Sequence, residues 1–151
     1  MRKTSLVYIK CQNKYLMLYR NKKKNDLNAG KWVGVGGKFE GDETPKQCAR
    51  REIFEETGIE EVELEYLGLV KFISDVWEDE DMYLFKGIMN DFPKEFESNE
   101  GDLAWIDEDK VMDLPMWEGD RVFLPELMED KKDINYTLVY KSEDLVEVIK
   151  N

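Results

Sequence analysis

The 151-residue chain contains no histidine. That absence removes Ser-His and Cys-His nucleophile pairs and every zinc site with imidazole ligands. Acid–base chemistry is left to Glu, Asp, Lys, Tyr or a metal-bound water. Cysteine is scarce: Cys11 and Cys48 alone cannot make a disulfide framework. Cys48 reads as a buried structural thiol, and a reducing cytoplasm is the expected compartment. No apolar run approaches the length of a membrane span. The start, Met1-Arg2-Lys3-Thr4, enters a strand pattern almost at once and leaves no room for a signal peptide. Positive charge is also in short supply. Lys and Arg number 22 against 34 Asp and Glu, a net charge of −12, which argues against a nucleic-acid polymer as partner. With 42% hydrophobic and 37% charged residues, the composition fits one globular domain over residues 1–151, neither disordered nor membrane-spanning.

What the chain does have is a dense segment from Gly37 to Ile59. Glu52, Glu55 and Glu56 fall at i, i+3 and i+4, so a helix places them on one face. Acids so placed repel unless a cation sits between them. Mg²⁺ is the economical candidate, because it takes carboxylate oxygens together with substrate phosphates. The helix is well signalled. Thr44 is an N-cap, Gln47 completes a capping box, Pro45 suits the first helical position and Gly58 suits a stop. Ala49 and Ile53 can pack inward and leave the acids on the rim of a groove. Gly34, Gly36, Gly37 and Gly41 precede the helix and let backbone approach a ligand closely.

Charge is unevenly placed. Residues 20 to 51 hold nine basic groups against four acidic ones, around the glycine loop where a polyphosphate would sit. For Lys22 to Lys24 a solvated basic loop is an equal reading. Elsewhere the pattern predicts a hairpin of Ser5 to Cys11 with Tyr15 to Tyr19, and a short strand at Trp32 to Val35. Further strands are expected at Val62 to Ser74, Met82 to Met89 and Leu103 to Ile106. Asp75 to Asp81 reads as an acidic loop. Glu118 to Glu129 reads as a helix carrying Pro125, and Ile134 to Tyr140 with Leu145 to Ile149 as a second hairpin.

Gly37, Glu43, Arg51, Glu52, Ile53, Glu55, Glu56, Gly58 and Ile59 match the Nudix signature at every position. The chain therefore resembles the Nudix hydrolases, and among them the MutT-type oxidised-purine nucleoside triphosphatases. Gly30-Lys31-Trp32, Gly36-Gly37-Lys38, Met116-Trp117 with Asp120, and Pro125 extend the likeness over most of the chain. The resemblance implies an α/β fold, an α/β/α sandwich with a mixed β-sheet. It also implies Mg²⁺-dependent cleavage of a nucleoside triphosphate, such as 8-oxo-dGTP, to the monophosphate and pyrophosphate, with Mn²⁺ as a substitute ion.

The resemblance further implies roles. The Gly37 carbonyl, Glu52, Glu55, Glu56 and Glu100 hold metal. Glu56 or Glu55 assists deprotonation of the attacking water. Arg51 orients the carboxylates with Glu43 as its partner. Lys23 and Lys38 neutralise phosphate charge. Trp117 stacks on the base, Asp120 bonds its edge and Phe72 forms an apolar wall; taken alone, Trp117 and Phe72 read equally well as core residues. Two positions depart from that branch: Val33 stands where it has a purine-reading Asn, and Gly119 replaces the first of two adjacent acids. Val33 can neither donate nor accept a hydrogen bond. Expected partners are a small nucleotide, no nucleic-acid polymer and no membrane, in a monomer or homodimer. The alternatives are another Nudix substrate, such as ADP-ribose, a dinucleoside polyphosphate or coenzyme A, or a nucleotide-binding module without catalysis. No proline lies about sixteen residues after the signature, which lowers the ADP-ribose option.

Overall fold

The computed structural model describes residues 1–22, 26–94 and 101–151. The first hairpin pairs β1 (Arg2–Cys11) with β2 (Lys14–Arg20) across a turn in which Gln12 takes a positive φ of 56°. The strand expected at Trp32 to Val35 divides at Gly34 into β3 (Trp32–Val33) and β4 (Val35–Lys38). The division has a clear cause. β3 pairs with β2 and β4 pairs with β1, and the crossing brings Gly34 so near β1 that a Cβ there would stand 2.6 Å from the Val7 carbonyl oxygen.

Helix α1 (Pro45–Thr57) follows, with every cap in place. The Thr44 hydroxyl accepts from the Gln47 amide at 3.2 Å, and the Gln47 side chain accepts from the Thr44 amide at 2.9 Å. Gly58 ends the helix in the left-handed region, at φ 75°. The remaining strands are β5 (Glu63–Ser74), β6 (Glu80–Met89), β7 (Gly101–Asp107), β8 (Ile134–Lys141) and β9 (Asp144–Lys150). The acidic loop is shorter than its sequence suggests. Glu80 and Asp81 join β6 because Arg2 and Lys3 of β1 pair with them in parallel. A 3₁₀ turn at Glu108–Asp113 had no clear signal in the pattern, and α2 (Asp120–Met128) starts two residues after the expected point, with Pro125 inside it.

The strands form one mixed sheet in the order β3-β2-β1-β6-β5-β8-β9, with β4 also on β1 and β7 also on β2. The β1–β6 and β5–β8 pairs are parallel and the rest antiparallel. Successive strand residues face opposite sides of the sheet, and the buried clusters divide accordingly. Val7, Ile9 and Leu16 pack with Ala49 and Ile53 of α1. Tyr8, Tyr15 and Met17 pack with Phe123, Leu124 and Leu127 of α2. The result is an α/β/α sandwich with α1 fixed over one face. Among the described residues no helix is long and apolar enough to cross a membrane.

Because both halves of the capping box are made, Thr44→Ala should lower stability by about 1 kcal/mol. The midpoint of urea unfolding measures it, and an unchanged midpoint would show that the cap does not hold the start of α1.

Candidate active site

Arg51 organises the acidic face of α1. Its Nε and Nη2 donate to the two oxygens of Glu43 at 2.6 and 3.0 Å, a bidentate pair. Nη1 donates to Glu52 at 2.9 Å and to Glu55 at 3.0 Å, and Nη2 also reaches the Lys38 carbonyl at 2.9 Å. A cation thus does sit between Glu52 and Glu55, and it belongs to the chain. The Arg51 hydrogen bond holds the Glu43 carboxyl below its usual range, and the bond to Glu43 raises Arg51 further above its own. Both groups therefore stay charged at any working pH.

The glycine loop meets the helix at Gly37. A Cβ on this residue would stand 2.6 Å from the Glu52 carboxyl carbon, so only glycine lets that carboxylate rest against the loop backbone. The Cys48 thiol donates to the Gly37 carbonyl at 3.3 Å. Burial raises the Cys48 pKa and keeps the proton that makes this contact. Glu56 is half-buried on the same helix. Among the described residues no three acids converge into a ready cluster for an ion. Glu100 and Lys23 lie outside the described residues. The available donors are all hard oxygens, and the Gly37 cradle draws Glu52 to the loop, a set that suits Mg²⁺.

A cleft of about 640 Å³ is lined by Gly37, Lys38 and Glu52, and also by Phe72, Trp117 and Asp120. Of the residues singled out in the sequence, Gly37, Lys38, Glu52, Phe72, Trp117 and Asp120 thus share one cavity with Val33 on its wall, whereas Glu43, Arg51, Glu55 and Glu56 are not among its lining. Trp117 and Phe72 are only 6% and 8% exposed, so each is also a core residue. Trp117 Nε1 donates to Asn28 Oδ1 at 2.7 Å, and the Lys31 ammonium lies 4.4 Å from its ring centroid. Tyr140 lines the cleft as well, with its ring 4.9 Å from Phe72 and 5.2 Å from Trp117. Asn28 and Tyr140 escaped the sequence reading. The period-two recurrence of Ile134, Tyr136, Leu138 and Tyr140 in the sequence is a signal that could have placed Tyr140 inward, and all four are buried.

Asp120 is buried at the N-terminus of α2. Its pKa is pushed up to about 7, first by burial and then by Glu80, while Arg121 and Lys31 oppose the rise. Glu80 is itself held by a 2.7 Å bond from the Thr4 hydroxyl.

The Nudix domain family matches residues 1–127 of this chain. The chain is 36% identical over 116 residues to an oxidized purine nucleoside triphosphate hydrolase of Danio rerio, covering 76% of this chain and 73% of that one. The protein is a member of the Nudix family. This Nudix chain is also 32% identical over 121 residues to the Nudix hydrolase YvcI of Bacillus subtilis (strain 168), covering 76% of this chain and 75% of that one. The crystal structure of a MutT protein from Bacillus halodurans matches it with a TM-score of 0.86 at 25% identity, over 99% of this chain and 97% of that one. Like its relatives, this Nudix hydrolase acts on phosphoric anhydrides.

Asp120 generates a stability prediction for this Nudix protein. Its folded pKa of about 7 exceeds the ordinary value of 3.8, so the folded state binds the proton more tightly than the unfolded chain. Stability then falls as pH rises between those two values, and the full loss, on the order of a few kcal/mol, is present above the upper one. Asp120→Asn removes the charge. It should raise the melting temperature at about pH 8 and leave it nearly unchanged at about pH 4. Equal effects at both pH values in paired thermal melts would reject the assignment.

Proposed function

We propose that this Nudix hydrolase cleaves purine nucleoside triphosphates, including oxidised ones such as 8-oxo-dGTP, to the monophosphate and pyrophosphate. The observation that carries this reading is the shared cleft: Glu52 and the glycine loop line the same cavity as Trp117 and Asp120. A triphosphate on the loop side leaves the base among Phe72, Trp117 and Asp120. The identity to the Danio rerio oxidized purine nucleoside triphosphate hydrolase supports the same substrate class.

Glu52, Glu55, Glu56 and the Gly37 carbonyl would hold Mg²⁺, with Glu100 as a further ligand. Bound there, the ion supplies charge neutralisation at the phosphates and lowers the pKa of a coordinated water. The chain's own residues do the rest. Arg51 fixes Glu52 and Glu55 in place through its fork. Glu43 completes the far side of that fork and keeps the guanidinium oriented. Glu56 or Glu55 takes the proton of the attacking water, and Lys38, on the cleft wall, meets phosphate oxygens. Val33 offers the base no polar contact, so normal and oxidised guanine should be distinguished only weakly.

Glu56→Gln keeps the side-chain shape and removes its charge. Turnover should fall by orders of magnitude while the thermal melt stays close to that of the wild type. Near-normal Mg²⁺-dependent hydrolysis by the folded variant would overturn the metal-site reading, as would wild-type activity that survives excess chelator. A phosphate-release panel tests the substrate. Comparable kcat/KM on dGTP and 8-oxo-dGTP is expected; rapid cleavage of ADP-ribose with neither triphosphate touched would replace the substrate class and leave the metal chemistry standing.

A further inference from the structure

The Tyr140 hydroxyl is a polar group of the cleft lining that no role above absorbs. Tyr140 is 3% exposed on the inward face of β8, and Phe72 and Trp117 pack against its ring. Its oxygen accepts from the Gly119 amide at 2.6 Å. A phenol has one proton to donate as well as lone pairs to accept with. Among the described residues no acceptor takes that proton. Burial drives the phenol pKa well above its usual range, so the proton stays in place at neutral pH. A buried donor without a partner in a ligand-sized cavity is stabilised when the ligand supplies an acceptor.

Gly119 explains how the hydroxyl comes to be there. A Cβ at residue 119 would stand 2.6 Å from the Tyr140 oxygen and 2.6 Å from Leu138 Cδ1. A side chain at 119 and the Tyr140 hydroxyl therefore compete for one space. In this chain the strand fills it.

We propose that Tyr140 is a specificity-determining residue whose hydroxyl donates to a carbonyl oxygen on the purine base, beside Asp120. The proposal rests on the purine triphosphate reading of the same cleft. The carbonyl at C6, as in guanine, keeps dGTP and 8-oxo-dGTP comparable, as expected above; the carbonyl at C8, as in an oxidised purine, presents the same acceptor but would instead set those two roughly tenfold apart. A base without either offers no carbonyl oxygen at that place, and that loss sets the preference.

Four triphosphates separate the cases in steady-state assays with Mg²⁺. dGTP carries the C6 carbonyl, 8-oxo-dATP only the C8 carbonyl, and dATP and 2-aminopurine deoxyribonucleoside triphosphate carry neither. Wild-type protein should prefer at least one carbonyl-bearing nucleotide over its carbonyl-free counterpart by roughly tenfold in kcat/KM, the scale of one neutral hydrogen bond. Dependence on dGTP alone assigns C6, and dependence on 8-oxo-dATP alone assigns C8. In Tyr140→Phe, which keeps the packed ring, that preference should collapse toward unity, mainly through KM. A merely structural role would lower all four substrates alike, and that outcome overturns the proposal, as does a wild-type enzyme with no carbonyl preference at all. If the wild type cleaves none of the four, the triphosphate reading fails and takes this proposal with it. If it cleaves them with ratios that Tyr140→Phe leaves intact, only the role of Tyr140 fails.

Discussion

The active face depends on one guanidinium. Without Arg51, Glu43, Glu52 and Glu55 would stand as unneutralised acids beside the glycine loop. Arg51 bonds all three carboxylates and the Lys38 carbonyl at the same time. A lysine could not, because its ammonium is a point charge on a flexible stem and lacks the planar fork. The arrangement also ties three stretches of chain together: the end of β4, the loop that holds Glu43, and the middle of α1. Charge-assisted bonds of this kind are short and directional, so they fix where the carboxylates point as well as their charge. On the metal-site reading proposed above, an added ion would meet acids already held by Arg51.

The two sides of the cleft solve the problem of negative charge in opposite ways. On the α1 side Arg51 bonds the partly solvated carboxylates and holds the Glu43 carboxyl below its usual range. Asp120 lies in the apolar side, among residues packed under α2, and burial with Glu80 nearby carries it toward neutrality. Two acids of the same intrinsic chemistry thus acquire different tasks from their surroundings. On the proposed reading the first set would hold a metal ion. The second can accept or donate a hydrogen bond near neutral pH, which suits the edge of a base better than it suits an ion.

Local features were legible and distant ones were not. The capping box of α1 could be read residue by residue, because Thr44, Pro45, Gln47 and Gly58 act within one turn of themselves. The pairing of Arg51 with Glu43 was legible through the family resemblance, since Glu43 lies before the helix and no helical spacing relates the two. The parallel match of β1 with β6 could not be read. It brings Arg2 beside Glu80 across most of the chain, and no local pattern encodes such a distance. The same pairing turned Glu80 and Asp81 from an expected loop into strand. The start of α2 moved for a similar reason: the Gly119 amide is engaged by Tyr140, a residue from another layer of the fold. Cys48 was legible as buried, but its contact with the Gly37 carbonyl depends on how the loop folds back on the helix.

Gly119 shows why a departure from a family pattern is hard to interpret one position at a time. In sequence it is a loss, a polar side chain replaced by hydrogen. In the folded chain that hydrogen is what allows Tyr140 to press its hydroxyl against the helix start, at a separation no side chain at 119 would tolerate. The cleft has therefore exchanged a group at a helix terminus for one carried by a strand and clamped between two aromatic rings. A phenol fixed in that way has few accessible rotamers and retains its proton. It is a more rigid donor than a short carboxyl whose protonation changes near neutral pH. On the proposed reading, selectivity would turn on how Gly119 yields its space to the Tyr140 hydroxyl beside Asp120.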